Sequence, residues 1–373
     1  MIFLGISAAV SFLLALILGA SAVLTPVAAL HVAFAVGIVP LIFGAMLHFV
    51  PVLTRTGSPH RLVALLPFGA QATGIGVVLA IQGLLERSSL HPLAGLDLLF
   101  SLLLIGWTIA RARRTVGRAH PGWRWYLASL ALFGAAVAAI PFFVSGSDPL
   151  AARLFHLHAN TLGFIGLAAL GTLPVLMPTI LRTADPQAAP WLHRRLPVAF
   201  AGALLVAGGS AFLWYAALVG GVFLIVVAIG LLAHWLRAFG GRAMLRDGAA
   251  LSLGFALAFL ILLLLASATH AVDAASADGF VFAFVAGFLL PLVTGALSQL
   301  LPVWRFNGTR TAERGAMRAI LVRTGQWRAP LFVAAGAAYA FDFGPFAWVA
   351  VASGIALFLF DLSMALRVGP FAR

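Results

Sequence analysis

Apolar stretches of 18 residues or more recur from one end of this chain to the other. A stretch of that length with few charges is what a helix needs to cross the roughly 30 Å hydrocarbon core of a bilayer. Read in this way, the sequence predicts spans near 2–24, 28–50, 62–84, 92–110, 124–145, 154–181, 196–216, 218–238, 248–271, 279–303, 329–344 and 346–366. With 63% hydrophobic and 9% charged residues and a mean hydropathy of +1.09, the chain has too little polar surface to build a water-facing shell. The expected fold is an all-α integral membrane protein of about twelve transmembrane helices, residues 1–373 forming a single transmembrane domain.

Within these spans one pattern returns three times. A glycine is followed seven residues later by a proline that is expected to end the helix: Gly44 and Pro51, Gly171 and Pro178, Gly295 and Pro302. The intervals between the glycines are 127 and 124 residues, and the pattern falls on the second, sixth and tenth spans. Pro40 and Pro291 each stand four residues before their glycine, and His31 and His158 each stand thirteen before theirs. A unit repeated at a fixed period is expected to be a structural repeat. Here it is three pseudo-threefold groups of four helices, approximately 1–122, 123–246 and 247–373. Small residues permit close helix packing in a membrane and proline kinks or ends a helix, so the glycines are expected at the pseudo-threefold core.

All 23 basic residues are arginine. Arg55, Arg61, the cluster from Arg111 to Arg124, Arg182, Arg194, Arg195, Arg237, Arg242, Arg246, six arginines from Arg305 to Arg328, Arg367 and Arg373 follow even-numbered spans; Arg87 and Arg153 lie on the other side. The positive-inside bias then predicts both termini in the cytoplasm of a bacterial inner membrane. The formal net charge of +13 is read as a cytoplasmic rim facing anionic lipid, not as a nucleic-acid surface. The segment 304–328, with its arginines spaced by three to five, is expected to include an amphipathic surface helix.

With that orientation, His31, His156, His158 and His270 share one depth toward the outer face, whereas His48 and His234 lie nearer the cytoplasmic ends of their helices. A polar ring in hydrocarbon must be paired, hydrogen-bonded or metal-bound. Two readings stand: interhelical hydrogen bonds, or ligation of a cofactor. His31 and His158, equivalent in the repeat, suit a pair of axial haem ligands or two corners of a copper site. His156 and His158 are two residues apart, roughly 200° around a helix, so one of the two is expected to serve another purpose, such as bonding with Asn160 or Thr161. His31 and His48, seventeen residues apart, are roughly 25 Å from each other along a helix and cannot serve the same atom. The methionines, Met46 and Met177 included, are expected to pack.

Cysteine is absent, which excludes disulfides and thiolate-bound metal. There is no lysine, the two glutamates Glu86 and Glu313 are in loops, and only Asp97 and Asp361 fall inside spans. A proton pump, which uses buried carboxylates or lysines along a relay, is therefore not expected.

Three groups of four helices with histidines toward the outer side of the second and sixth resemble the catalytic subunit of haem–copper oxidases and nitric oxide reductases. The sequence departs from that pattern in having no histidine in the tenth span, where Phe282 stands at the equivalent position, and no adjacent His-His pair in the seventh. The stretch from His31 to Thr54 is similar to the first motif of the NnrS family, haem- and copper-containing membrane proteins linked to nitric oxide stress. The stretches from His156 to Thr183 and from Phe284 to Trp304 are similar to membrane domains found beside or fused to copper oxidases of the nitrite-reductase type. These resemblances imply haem b, copper or both, bound near the periplasmic side by His31 and His158, with His156 and His270 as further ligands, His48 as a secondary candidate and Asn160 as the residue that orients a ligand. They also imply nitric oxide or a similar small molecule as substrate or signal, a periplasmic redox partner, and an oxidoreductase if the protein is catalytic. The alternatives are a cofactor-free transporter for a small solute and a membrane anchor or assembly subunit for a periplasmic copper enzyme.

Overall fold

The computed structural model describes residues 1–145, 148–270, 277–306, 308, 310–340 and 343–369, without the side chains of 268–270, 277, 278 and 340. Among the described residues every regular element is a helix. Among the described residues eleven helices are long and apolar enough to cross a membrane. They are α1 (Ile2–Ala20), α2 (Pro26–Leu53), α3 (Arg61–Ile81), α4 (Arg87–Arg113), α5 (Gly122–Ser145), α6 (Pro149–Leu181), α7 (Ala188–Phe212), α8 (Trp214–Phe239), α9 (Gly248–His270), α10 (Gly279–Arg305) and, after two further helices, α13 (Gly344–Ala365). The predicted span near 329–344 is instead α12 (Gly325–Ala340), 16 residues long. At 1.5 Å per residue it covers roughly 24 Å, and its first turn carries Arg328 rather than an apolar residue. Between α10 and α12 lies α11 (Thr311–Val322), which buries Glu313, Met317 and Leu321 along one face, the spacing of an amphipathic helix.

By contacts the chain divides into two compact units: residues 3–172 with 186–224, and residues 173–185 with 225–373. In the first, Phe43, Phe133 and Phe164 from α2, α5 and α6 meet edge-on or tilted with centroids 4.7 to 6.1 Å apart, and Trp125 stacks on Trp191 while its indole N–H donates to the Leu192 carbonyl. In the second, Phe282 stacks on Tyr339 and meets Trp348 edge-on.

The three helices that carry the glycine–proline pattern share features that hydropathy does not reveal. Each is interrupted by a π-helical segment: Val32–Ile38 in α2, Ala159–Gly166 in α6 and Phe284–Leu289 in α10. Proline explains two of them. Pro40 follows the first segment and Pro291 the third; lacking an N–H, neither can close the α-helical bond to the carbonyl four residues back, and the ladder shifts. The carbonyl that Pro40 leaves unpaired, that of Val36, accepts a bond from Gln71 Nε2 of α3, whose amide also bonds Ser7 of α1. In α6 the equivalent residue is Leu167, not proline, and Ser129 of α5 donates to the Phe164 carbonyl at 2.7 Å.

The prolines of the pattern do not end their helices as expected. The last α-helical segment of each, which in α2 reaches one residue past the spanning stretch, runs three residues beyond the proline, to Thr54, Leu181 and Arg305. The proline carbonyl then accepts the bond that closes the C-terminus: Thr56 N–H to Pro51, Thr183 N–H to Pro178 and Phe306 N–H to Pro302. Arg55 and Arg182 take the left-handed conformation that such an ending uses. The pattern glycines face the helix before their own: Gly44 the side chains of Met1 and Leu4, Gly171 that of Trp125, and Gly295 those of Ser252 and Leu253. A Cβ at Gly171 or Gly295 would collide with the Cβ of Trp125 or Ser252, so close approach requires glycine at those two, whereas at Gly44 it would meet the movable end of Leu4.

Candidate histidine site at the starts of α2 and α6

Thr25 caps α2 through its hydroxyl and Asp148 caps α6 through its carboxylate, so both helices begin one or two turns before their histidines. His31 is the last residue before the π-helical segment of α2, and His158 the last before that of α6. A π-helical turn is rare and is frequently found at functional sites.

The imidazoles are held in the same way. His31 Nδ1 lies 2.7 Å from the Val27 carbonyl and His158 Nδ1 lies 2.9 Å from the Leu154 carbonyl, in each case four residues back on the same helix. His156 Nδ1 lies 2.9 Å from the carbonyl of Ala136 on α5. A carbonyl only accepts, so each Nδ1 carries the proton, and in the neutral ring the basic lone pair is then at Nε2. A backbone carbonyl at Nδ1–H is also what commonly fixes a metal-binding imidazole in its tautomer and raises its basicity. The shared position of His31 and His158 is thus matched by a shared hydrogen bond.

The structure brings His31 within electrostatic range of His156. His156 and His158 diverge, as their spacing requires: one reaches across to α5, the other bonds its own helix. Asn160 donates to the His156 carbonyl at 2.8 Å, and its amide nitrogen lies 3.4 Å from both ring nitrogens, which places it over the ring of His156 and not beside His158. Thr161 bonds the Leu157 carbonyl. His48 is partly buried in the last turns of α2, packed against Phe49. His270 ends α9, and its side chain lies outside the described residues, as do those of Asp273 and Asp278. Among the described residues no three His, Asp or Glu side chains come together as a metal cage.

Several polar groups with no assigned role in the sequence prove to be tied together. In the second unit Asp361, fully buried, accepts from Arg323 Nη2 at 2.8 Å and from the Thr324 hydroxyl at 2.6 Å, and lies 3.6 Å from Arg328 Nη1. Arg328, also fully buried, donates to the Ser298 hydroxyl and the Leu321 carbonyl and lies over the Phe358 ring. The apolar surroundings of Asp361 were the one signal available from sequence. Gln299, which takes the place in α10 that His48 has in α2, accepts from Arg318 Nε at 2.6 Å; Arg318 Nη2 pairs with Asp247, whose other oxygen caps α9. His234 Nε2 lies 2.7 Å from Asp185.

The fold defines a class: an all-helical, multi-pass membrane chain whose surroundings are a lipid bilayer. Beyond that class, no protein-family model and no curated protein matches it.

Proposed function

We propose that the protein is a haem-binding protein of the bacterial inner membrane, in the respiratory or nitrogen-oxide chemistry of the NnrS-like and haem–copper-oxidase-like proteins it resembles. Its cofactor would be held by imidazoles near the periplasmic side, and both termini would be cytoplasmic. The observation that carries this reading is the common arrangement of His31, His156 and His158, each with its Nδ1–H given to a backbone carbonyl and its basic nitrogen at Nε2. The π-helical segments that begin directly after His31 and His158 support it.

Haem b needs one or two axial imidazoles, and this donor set fits it. A copper site built from three histidine or carboxylate side chains does not form among the described residues. When bound, haem b would supply a one-electron couple and, if only one of the two histidines ligates it, a place for a diatomic ligand such as nitric oxide. The chain's part is to present Nε2 of His31 and His158 as ligands and to hold each ring by its Nδ1 bond. His156, bonded to Ala136 and within range of His31, would set the polarity beside them. The threefold arrangement of four helices belongs to the same proposal. It is supported by the π-helical segments near 32, 159 and 284, by the glycines that each face the preceding helix, and by the proline carbonyls that close α2, α6 and α10.

The test is a reduced-minus-oxidised visible spectrum with elemental analysis on detergent-purified protein expressed with ample haem and copper. Haem b bands are expected from the native protein, and His31→Ala and His158→Ala are each expected to lose or shift them. The proposal fails if both variants keep full haem and metal content. A colourless, metal-free native protein would instead favour the cofactor-free transporter or the anchor subunit.

A further inference from the structure

Asp97 sits near the middle of α4, ten residues from its start, and is nine-tenths buried. It faces α3, where the Thr73 hydroxyl lies 2.5 Å from its Oδ1; Thr73 is itself buried. None of the described ion pairs includes Asp97. The ionisable groups on α4 and on the helices packed against it are Arg87, His91, Arg111 and Arg113 on α4, Arg61 on α3, His31 and His48 on α2, and Arg124 and Tyr126 on α5, and none of them bonds the carboxyl. Arg87 and Arg111 are ten and fourteen residues away, roughly 15 and 21 Å along the helix.

Burial without a counter-ion bears on the charge state. The Thr73 oxygen lies within bonding distance of two acceptors, Asp97 Oδ1 at 2.5 Å and the Ala70 carbonyl at 2.9 Å. A hydroxyl has one proton to give. If Asp97 were a carboxylate, the Thr73 hydroxyl would be its one donor, and a charge without a counter-ion would stand in the apolar interior, where its desolvation is uncompensated. If Asp97 carries the proton, its O–H donates to Thr73 and the Thr73 O–H donates to Ala70, so that both bonds are made and no charge is buried. Asp361 is the opposite case, with Arg323, Arg328 and the Thr324 hydroxyl and N–H all directed at it.

We propose that Asp97 and Thr73 form an intramembrane proton-binding site between α3 and α4, with the Asp97 carboxyl held as the neutral acid, while Asp361 is a carboxylate. The inference does not depend on a haem. The test is the infrared spectrum at pH 7 of the native protein minus that of Asp97→Asn, together with labelling of the native protein by dicyclohexylcarbodiimide, an apolar reagent that adds a protonated carboxyl across its C=N bond. The tryptic segment 88–111 contains Asp97 as its sole carboxyl side chain, so the label can be located by mass. The difference spectrum is expected to contain a protonated-carboxyl C=O band, and the label is expected on Asp97 and not on Asp361. The proposal is overturned if the band lost is that of an ionised carboxylate. If Asp97→Asn does not accumulate, it is overturned when the native protein carries label on Asp361 instead of Asp97, or on neither.

Discussion

The buried Asp361 and Arg328 show how a charge survives in a chain this apolar. Each has the other at 3.6 Å, and each is further bonded to Thr324. Removing one partner of such a pair leaves the other buried and uncompensated, at a cost of about 3–5 kcal/mol. Asp361→Asn is therefore expected to lower the thermal midpoint in detergent substantially, whereas Asp97→Asn, which replaces a neutral acid by a neutral amide, is expected to change it little. Equal losses in the two variants would contradict the charge states assigned to them. A milder, pH-dependent case is His120, which lies before α5 and outside the spanning helices. Its Nδ1 accepts from the Gly122 N–H, and burial lowers its pKa below the ordinary value of 6.5. The folded state thus prefers the neutral ring, and its contribution is complete above pH 6.5 and is lost as pH falls through the lowered value. Thermal midpoints of the native protein and His120→Asn should converge on acidification; a gap that widens would refute this reading.

At the scale of the element, the π-helical segments decide which way the histidines point relative to the rest of α2 and α6. One residue of helix corresponds to about 100° of rotation. Deleting a single residue within Val32–Ile38, or within Ala159–Gly166, would return the helix to α geometry and turn His31 or His158 out of phase with the helix that follows. If the protein binds haem as proposed, such variants are expected to reach the membrane and to lose most of the haem absorbance, measured as haem per protein. Retention of the full spectrum would separate the π-helical segments from the site. Gln71→Leu is a gentler form of the same test: it removes the donor that serves the Val36 carbonyl and is expected to destabilise the first unit mildly, because a half-buried acceptor is left without its partner.

For the whole molecule, the arginine distribution makes a prediction that the absence of cysteine renders easy to check. Single cysteines at Ser58 and Ser88, both exposed, should be labelled by an impermeant maleimide from opposite sides: Ser58→Cys in inverted vesicles and Ser88→Cys in intact spheroplasts. Labelling of both from one side would refute the orientation. The residues that made the class legible are those whose energetics depend on solvent alone: runs of apolar side chains need no partner to declare that they lie in lipid. The glycine–proline pattern was legible as a period, but its meaning was not. Pro51, Pro178 and Pro302 read as helix ends, yet the helices continue for three residues, because a proline near a C-terminus forfeits one bond while its carbonyl still accepts the closing one. Likewise 329–344 read as a span, whereas α12 is 16 residues long and begins four residues earlier, taking in Arg328, whose partner Asp361 is 33 positions away. His31 and His158 were found from spacing; the π-helical turns after them and the carbonyl held by each Nδ1 were not, since a side chain's hydrogen-bond partner follows from where the neighbouring backbone lies. Solvent preference is a property of single residues summed along the chain, so the sequence alone determined that this protein is a bundle of membrane helices. Pairing is a property of residues brought together, so only the tertiary structure decided which of its few polar groups are neutral, which are charged, and which histidines share an environment.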